Sequence, residues 1–313
     1  MSKQHFGLFC LALVLLFSGC SSTPDRPETV SLAKNRAAEY TEYGNRYFDQ
    51  ALFDQALKFY IMALENNIAV DYKEGIVLSR DALGQTYLML GRFAEAGTSL
   101  QAARELAARM QRSDLELRVL NSQLKLALNR GSMQQARRIF DEARELLNKT
   151  GNTPEDILAD IYHSMGALEK ADGNLQEARG NLEKSIAINR RLDRREEIAG
   201  SLYMLASVFS KLEEYPAARD YLHSALDMDK QIENTLGIAD DYFALGIVNS
   251  RMGNREEAYL HLQTALDIYA VLNRRENTME TLSVLIDLAG ELGREDEADI
   301  YRSTMEKIQR TAG

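Results

Sequence analysis

Small and apolar side chains recur along this chain at two nested spacings. Ala56, Ala96, Ala136, Ala178, Ala218, Ala258 and Ala298 stand 40, 40, 42, 40, 40 and 40 residues apart. Four residues after each comes Tyr60, Leu100, Phe140, Leu182, Leu222, Leu262 or Arg302, and seven after each comes Ala63, Ala103, Ala143, Ser185, Ala225, Ala265 or Met305. Offsets of four and seven fall on one face of an α-helix, so every interval contains a helix with one apolar stripe. Twelve residues before the alanine stand Gly44, Gly84, Leu124, Gly166, Ala206, Gly246 and Ile286. A glycine within a helix costs about 1 kcal/mol relative to alanine, so its recurrence predicts a point where a neighbouring helix comes close. Five residues before the alanine, Gly91, Gly131, Gly173, Gly253 and Gly293 form a second set, placed to end a first helix in the left-handed conformation. Each unit reads as helix, tight turn, helix.

This pattern resembles the tetratricopeptide repeat, whose signature of aromatic, Leu-Gly, Tyr, Ala, aromatic and Ala is carried at matching offsets. Tyr43-Gly44, Tyr47, Ala56, Tyr60 and Ala63 follow it, as do Leu83-Gly84, Tyr87, Ala96, Leu100 and Ala103, and Tyr242, Leu245-Gly246, Ala258, Leu262 and Ala265. The repeat is 40 residues long, as in the long-repeat members of that family. The resemblance implies an all-α, right-handed α-solenoid of about seven helix-turn-helix repeats. Repeats 1–3 are expected over 35–149 and repeats 4–7 over 150–313, with the last, where Arg302 and Met305 replace apolar or small residues, acting as a polar cap. Two extra residues fall between repeats 3 and 4. There Thr153-Pro154-Glu155-Asp156 predicts a Thr cap, Pro at the first helical position and acids on the helix dipole.

Composition alters this picture chiefly at the N-terminus. Residues 1–19 combine a basic start, an apolar run from Phe6 to Phe17 and small residues, the order of a secretory signal. That run is shorter than the ~20 residues a membrane-spanning helix requires. Phe17-Ser18-Gly19-Cys20 resembles a bacterial lipobox, which implies acylation of Cys20 and removal of residues 1–19; an ordinary secretory signal with an incidental Cys is the alternative. Polar, proline-bearing residues follow, so 20–34 reads as the lipidated Cys and a flexible tether. Ser21 after the Cys implies, by resemblance to enteric sorting, the periplasmic face of the outer membrane.

Charge and chemistry mostly exclude. The formal net charge is −10, with acids and bases interleaved, which argues against nucleic acid as a partner. Both cysteines, Cys10 and Cys20, precede the repeats, so the body has no disulfide or thiolate zinc site. There is no Gly-x-Gly, phosphate-loop or Gly-x-Ser-x-Gly motif, and the histidines lack metal-ligand spacing. No cofactor, metal or catalytic role is expected.

In tetratricopeptide arrays the first helix of each hairpin lines the concave surface. By that resemblance the expected peptide groove consists of Asn45, Gln85, Asn121, Lys125, Asn129, His163, Lys170, Tyr203, Lys211, Phe243 and Arg251, with Asp240, Glu280, Asp287 and Glu291 toward the C-terminal end. Amides are placed to hold an extended backbone and Lys125, Lys170 and Lys211 to receive acidic groups; a polar face without a ligand is the alternative. Arg190, Arg191, Arg194, Arg195, Arg274 and Arg275 mark the turns between units, placed to meet anionic headgroups or to pair with Glu196, Glu197 and Glu276. The expected function is a non-catalytic, membrane-anchored scaffold that binds peptide or protein partners in an envelope complex. An accessory ligand-binding component of a periplasmic transporter is a rival, which would need a closed apolar pocket.

Overall fold

A computed structural model describes residues 28–151 and 153–310. These form fourteen helices: α1 (Glu28–Asp49), α2 (Phe53–Ala69), α3 (Lys73–Met89), α4 (Phe93–Arg109), α5 (Ser113–Asn129), α6 (Met133–Thr150), α7 (Glu155–Ala171), α8 (Leu175–Arg191), α9 (Arg195–Lys211), α10 (Tyr215–Gln231), α11 (Thr235–Arg251), α12 (Arg255–Val271), α13 (Arg275–Glu291) and α14 (Glu295–Arg310). Odd and even helices pair as seven hairpins, and each hairpin packs on the next to build a tetratricopeptide-like solenoid. Most helices span 17 residues and are joined by three, so two of each make the 40-residue period. Helix α1 begins at Glu28, so residues 28–34, expected in the tether, are helical instead; Ala37 is the first buried side chain among the described residues of the helix, while Leu32 is exposed. Cys20 and the signal lie outside the described residues.

The seven repeating alanines are all fully buried. A larger side chain there would hold two helices apart, which explains their persistence while the positions around them vary. The recurring helical glycines serve the same end inside each hairpin. At Gly166 a Cβ would stand 2.6 Å from Leu182 and 3.2 Å from the Ala178 carbonyl oxygen, and at Gly246 2.5 Å from Leu262 and 3.2 Å from the Ala258 carbonyl oxygen. The apolar side chain four residues after the alanine therefore lies in the notch its partner helix leaves open.

Every junction but the one between α6 and α7 uses one turn. Its middle residue is left-handed whether it is glycine, as at Gly131 (φ 65°), or not, as at Gln111 (φ 54°) and Glu213 (φ 62°). The third junction residue donates to the carbonyl five residues back, as Arg92 does to Tyr87 at 2.8 Å, which satisfies an otherwise orphaned helix C-terminus. A side chain in the left-handed region costs roughly 1–2 kcal/mol. Gln111→Gly is therefore expected to raise stability by about 1 kcal/mol, read as a higher urea midpoint; a lower midpoint would show that Gln111 makes a compensating contact.

Between α6 and α7 the connection is longer. Gly151 ends α6 in the left-handed conformation, and Pro154 stands immediately before α7 as its N-cap. Pro was expected one position later, as the first helical residue, behind a Thr153 cap. With ψ at 136°, Pro154 is extended and the helix starts at Glu155, which with Asp156 occupies the first turn. Helices α6 and α7 meet less closely than other successive helices, while α5 and α7 keep the first-helix layer continuous across the seam. In α14 only Ala298 is buried, and Ile300 is exposed.

Several ion pairs bridge units at a recurring separation. Arg104 meets Glu142 at 2.7 Å, Arg118 meets Asp156 at 2.8 Å and Arg294 meets Glu256 at 2.7 Å, each 38 residues apart. Of the arginines at the turns, Arg194 contacts Asp160 at 3.0 Å and Glu197 at 2.6 Å, Arg191 contacts Glu155 at 2.8 Å and Arg195 contacts Asp193 at 3.2 Å. Partly exposed pairs contribute little each.

Candidate functional site

The concave side encloses an open channel of about 640 Å³, within the ~300–1,000 Å³ usual for ligand sites. It is walled by odd-numbered helices from α1 to α11, by the turns preceding α9 and α11, and by the ends of α8 and α10. The turn Phe48–Phe53 of the first hairpin lines the same channel as Glu196 and Leu236 of later units, so the coil brings its N-terminal end across from units 5 and 6. Burial raises the Asp49 carboxyl, and Glu197 facing it raises it further.

Of the expected groove residues, Gln85, Asn121, Lys125, His163 and Tyr203 line this channel. Asn45, Asn129, Lys170, Lys211, Phe243 and Arg251 do not. Asn45 accepts from Tyr60 Oη at 2.8 Å, and Asn129 donates to the Lys125 carbonyl of its own helix at 2.9 Å. Lys170 donates to Ser207 Oγ at 3.1 Å, and Phe243 packs against the apolar clusters around Tyr259 and Tyr269. Asn129, Lys170, Lys211 and Arg251 occupy the last turns of their helices, whereas the channel follows residues further toward the N-termini. Of the expected acids Asp240 lines the channel, and Glu291 pairs with Arg255 at 2.6 Å on the outside.

The middle of the wall is made of buried amides and hydroxyls. Asn121 is buried, and its Oδ1 accepts no hydrogen bond. His163 Nδ1 lies 2.9 Å from Ser201 Oγ. Burial and the nearby Lys125 and Lys170 ammonium groups push His163 down to about 4, so it is neutral at pH 7. Tyr203 is pushed up to about 12 by burial and by Asp240, Asp241 and Glu280. Lys125 and Arg118 of α5 bring basic groups to the lining, and Asp229 of α10 with Asp240 and Asp241 of α11 bring acidic ones. The wall is polar throughout its middle, unlike the closed apolar pocket a transporter component would need.

Several lining residues, Asn189, Ser201, Asp229 and Asp241, come from the junctions between units. Their register was visible in the sequence. Asn67, Ala107, Leu147, Asn189, Asp229 and Tyr269 each stand eleven residues after a repeating alanine, and Ser79, Val119, Ile161, Ser201, Asp241 and Thr281 are the corresponding positions of the following first helices. At some units this register is apolar: Ala107 and Val119 share a cluster, as do Leu147 and Ile161. At others it is polar, with Asn67 donating to Ser79 at 3.0 Å. Polar residues at a buried register were the signal.

Among the described residues no histidine, cysteine and carboxylate set converges as a metal site, and no helix is long and apolar enough to cross a membrane. The family profile described as the MalT-like TPR region matches residues 76–236. A comparison with curated proteins finds no match. Among solved structures, a Rap protein complexed with competence and sporulation factor is 16% identical with TM-score 0.65, covering 90% of this chain and 77% of that one. The apo quorum sensor NprR from B. thuringiensis is 16% identical with TM-score 0.65, covering 88% and 77%. Aspartyl phosphate phosphatase F from Bacillus subtilis is 13% identical with TM-score 0.62, covering 90% and 72%. At these identities the likeness establishes a common fold.

Proposed function

The chain belongs to the MalT-like TPR region family, and on that premise we propose that it is a non-catalytic array that binds an extended peptide segment in its concave channel. The carrying observation is the open, polar channel lined by Gln85, Asn121, Lys125, His163 and Tyr203, with the buried Asn121 Oδ1 left without a hydrogen-bond donor in its wall. Gln85 and Lys125 stand beside it, and the latter suits an acidic group of the ligand. The Rap protein solved in complex with competence and sporulation factor shows a chain of the same architecture with a bound factor, which supports the reading.

A photocrosslinking residue at position 85 is expected to capture the partner in intact cells, while one at Asn129, outside the channel, is not. Equal capture at both positions would reject the channel as the binding face. Lys125→Glu is expected to weaken binding of the captured partner about tenfold, the effect of losing ~1.5 kcal/mol of charge-assisted hydrogen bonding.

We further propose that the array is tethered through acylated Cys20 to the periplasmic face of the outer membrane and serves an envelope complex. The Ser-Gly-Cys sequence at the end of the apolar run supports this. Palmitate labelling of the wild type, lost in Cys20→Ser together with membrane association, is the expected outcome; an unlabelled, membrane-free wild type would refute the anchor.

A further inference from the structure

At the junction register described above, one pair departs from all the others. Between the fifth and sixth repeats both positions are carboxylates, Asp229 on α10 and Asp241 on α11. Asp241 is fully buried, and neither of its oxygens accepts a hydrogen bond. Asp229 receives one from Asn234 Nδ2 at 3.0 Å. A Cβ at Gly237 would stand 2.3 Å from Asp229 Oδ2, just as one at Gly75 would stand 2.5 Å from Asn67 Oδ1 at the neutral junction, so the same close backbone approach here seats a carboxylate in place of an amide. Asp240 adds a third carboxylate on the same wall, accepting from Tyr269 Oη at 2.5 Å. The nearest lysine, Lys230, lies over the Tyr242 ring at 5.3 Å and forms no ion pair with the carboxylates.

A buried carboxylate without a donor is costly, and two facing each other are costlier. Elsewhere the same register is filled by Asn67 with Ser79, Asn189 with Ser201, Tyr269 with Thr281, or the apolar pairs Ala107 with Val119 and Leu147 with Ile161, so the fold does not require acids here. All three carboxylates line the channel. They do not converge on a metal-sized point, which leaves an organic cation as the complementary group.

We propose that Asp229, Asp240 and Asp241 form a subsite for a primary ammonium or guanidinium group, supplied by a Lys or Arg side chain or the N-terminal amine of the peptide in the channel. The inference deepens the peptide-binding reading and rests on it for the source of the cation. Burial and Asp229 push Asp241 up to about 9, so the empty pair shares a proton. Asp229 and Lys230 from α10, Asp240 from α11 and Tyr203 from α9 face Asp241; Asn234 from the turn and Glu196 from α9 face Asp229, Tyr269 from α12 and Arg274 from the following turn face Asp240, and Glu280 from α13 faces Tyr203. An incoming cation replaces the shared proton, and that proton goes to solvent.

The test uses the full chain with carboxyl-¹³C aspartate and n-butylammonium as probe. The Asp241 resonance is identified by its absence in Asp241→Asn. It is expected to move downfield, saturably, as n-butylammonium is added at neutral pH, and to stay still with n-butanol. Asp229→Asn, which places in this register the residue already found at positions 67 and 189, is a second variant that should weaken the response at least tenfold. No movement of Asp241, or equal movement with n-butanol, overturns the subsite. Cation binding without partner capture at position 85 would defeat the peptide reading and leave the subsite standing; capture without a cation response would do the reverse.

Discussion

Gly166→Val is expected to lower the stability of the array by about 3 kcal/mol, and Gly180→Ala to raise it by about 0.5–1 kcal/mol. Both glycines lie in the same hairpin, Gly166 in α7 and Gly180 in α8. They differ in what a Cβ would meet. At Gly166 it would lie 2.6 Å from Leu182, which is fully buried, and 3.2 Å from a backbone carbonyl that cannot rotate away. Valine adds two methyl groups to that clash, and relief demands that α7 and α8 separate. At Gly180 nothing lies within 4 Å, so alanine gains helix propensity without a steric cost. The loss at position 166 should also spread. Each unit of a solenoid is stabilised largely by its neighbours, so a damaged fourth hairpin removes support from the third and the fifth. Urea titration followed by helical circular dichroism reads both effects, and a wild-type midpoint for Gly166→Val would mean that close approach of helices is not what holds the hairpins.

The same contrast explains how much of this molecule could be read from its residues. Helix pairing was legible because close packing restricts side-chain size at particular positions, and restriction repeated seven times becomes a visible period. The left-handed turns were legible where glycine fills them. At Ala51, Glu213 and Asn273 the same backbone is adopted without glycine, because flanking helices fix the turn whatever its middle residue. The channel was less legible. Periodicity says which face of a first helix looks inward, but not how steeply successive hairpins rotate, and rotation decides which turn of each helix reaches the channel. Asn121 and His163 lie mid-helix and reach it, whereas Arg251 and Lys211 on the same helix set lie one or two turns further along and miss. That Asp49 should approach Glu197 depends on the accumulated rotation of several units, a quantity no local pattern contains. The junction carboxylates were available to inspection, since Asp229 and Asp241 interrupt a register that is elsewhere neutral; they meet across a second helix and the next first helix, a pairing that the inward face of a first helix alone does not contain.

Those carboxylates should give the array an unusual pH profile, with stability falling as the solution becomes more alkaline. Asp241 titrates from an ordinary value of 3.8 up to about 9 in the fold. A group whose folded value is raised contributes its stability below the unfolded value and loses it as pH climbs through the folded one. Between those limits the native chain binds one more proton than the unfolded chain, and stability declines by up to about 1.4 kcal/mol per pH unit. Burial shifts Asp81, Asp229, Asp240 and Glu196 in the same direction. His163 opposes them at the acid end. Lowered from 6.5 to about 4 by burial and two lysines, it contributes stability that is lost as pH falls through that interval. Carboxylates held low by arginine, Asp114 by Arg112 and Glu169 by Arg137, lose theirs at still lower pH. The opposing slopes of His163 and Asp241 cancel between about pH 4 and 6.5, and the carboxyl slope stands alone above that. Thermal unfolding should therefore show a plateau on the mildly acidic side and a steady loss from about pH 6.5 to 8.5. Asp241→Asn should flatten that loss and be more stable than the wild type at the alkaline end, because an amide needs no proton to face Asp229 and can donate to it. Parallel wild-type and variant curves would show that Asp241 is already ionised in the fold, and the shared-proton description of the junction would have to be abandoned.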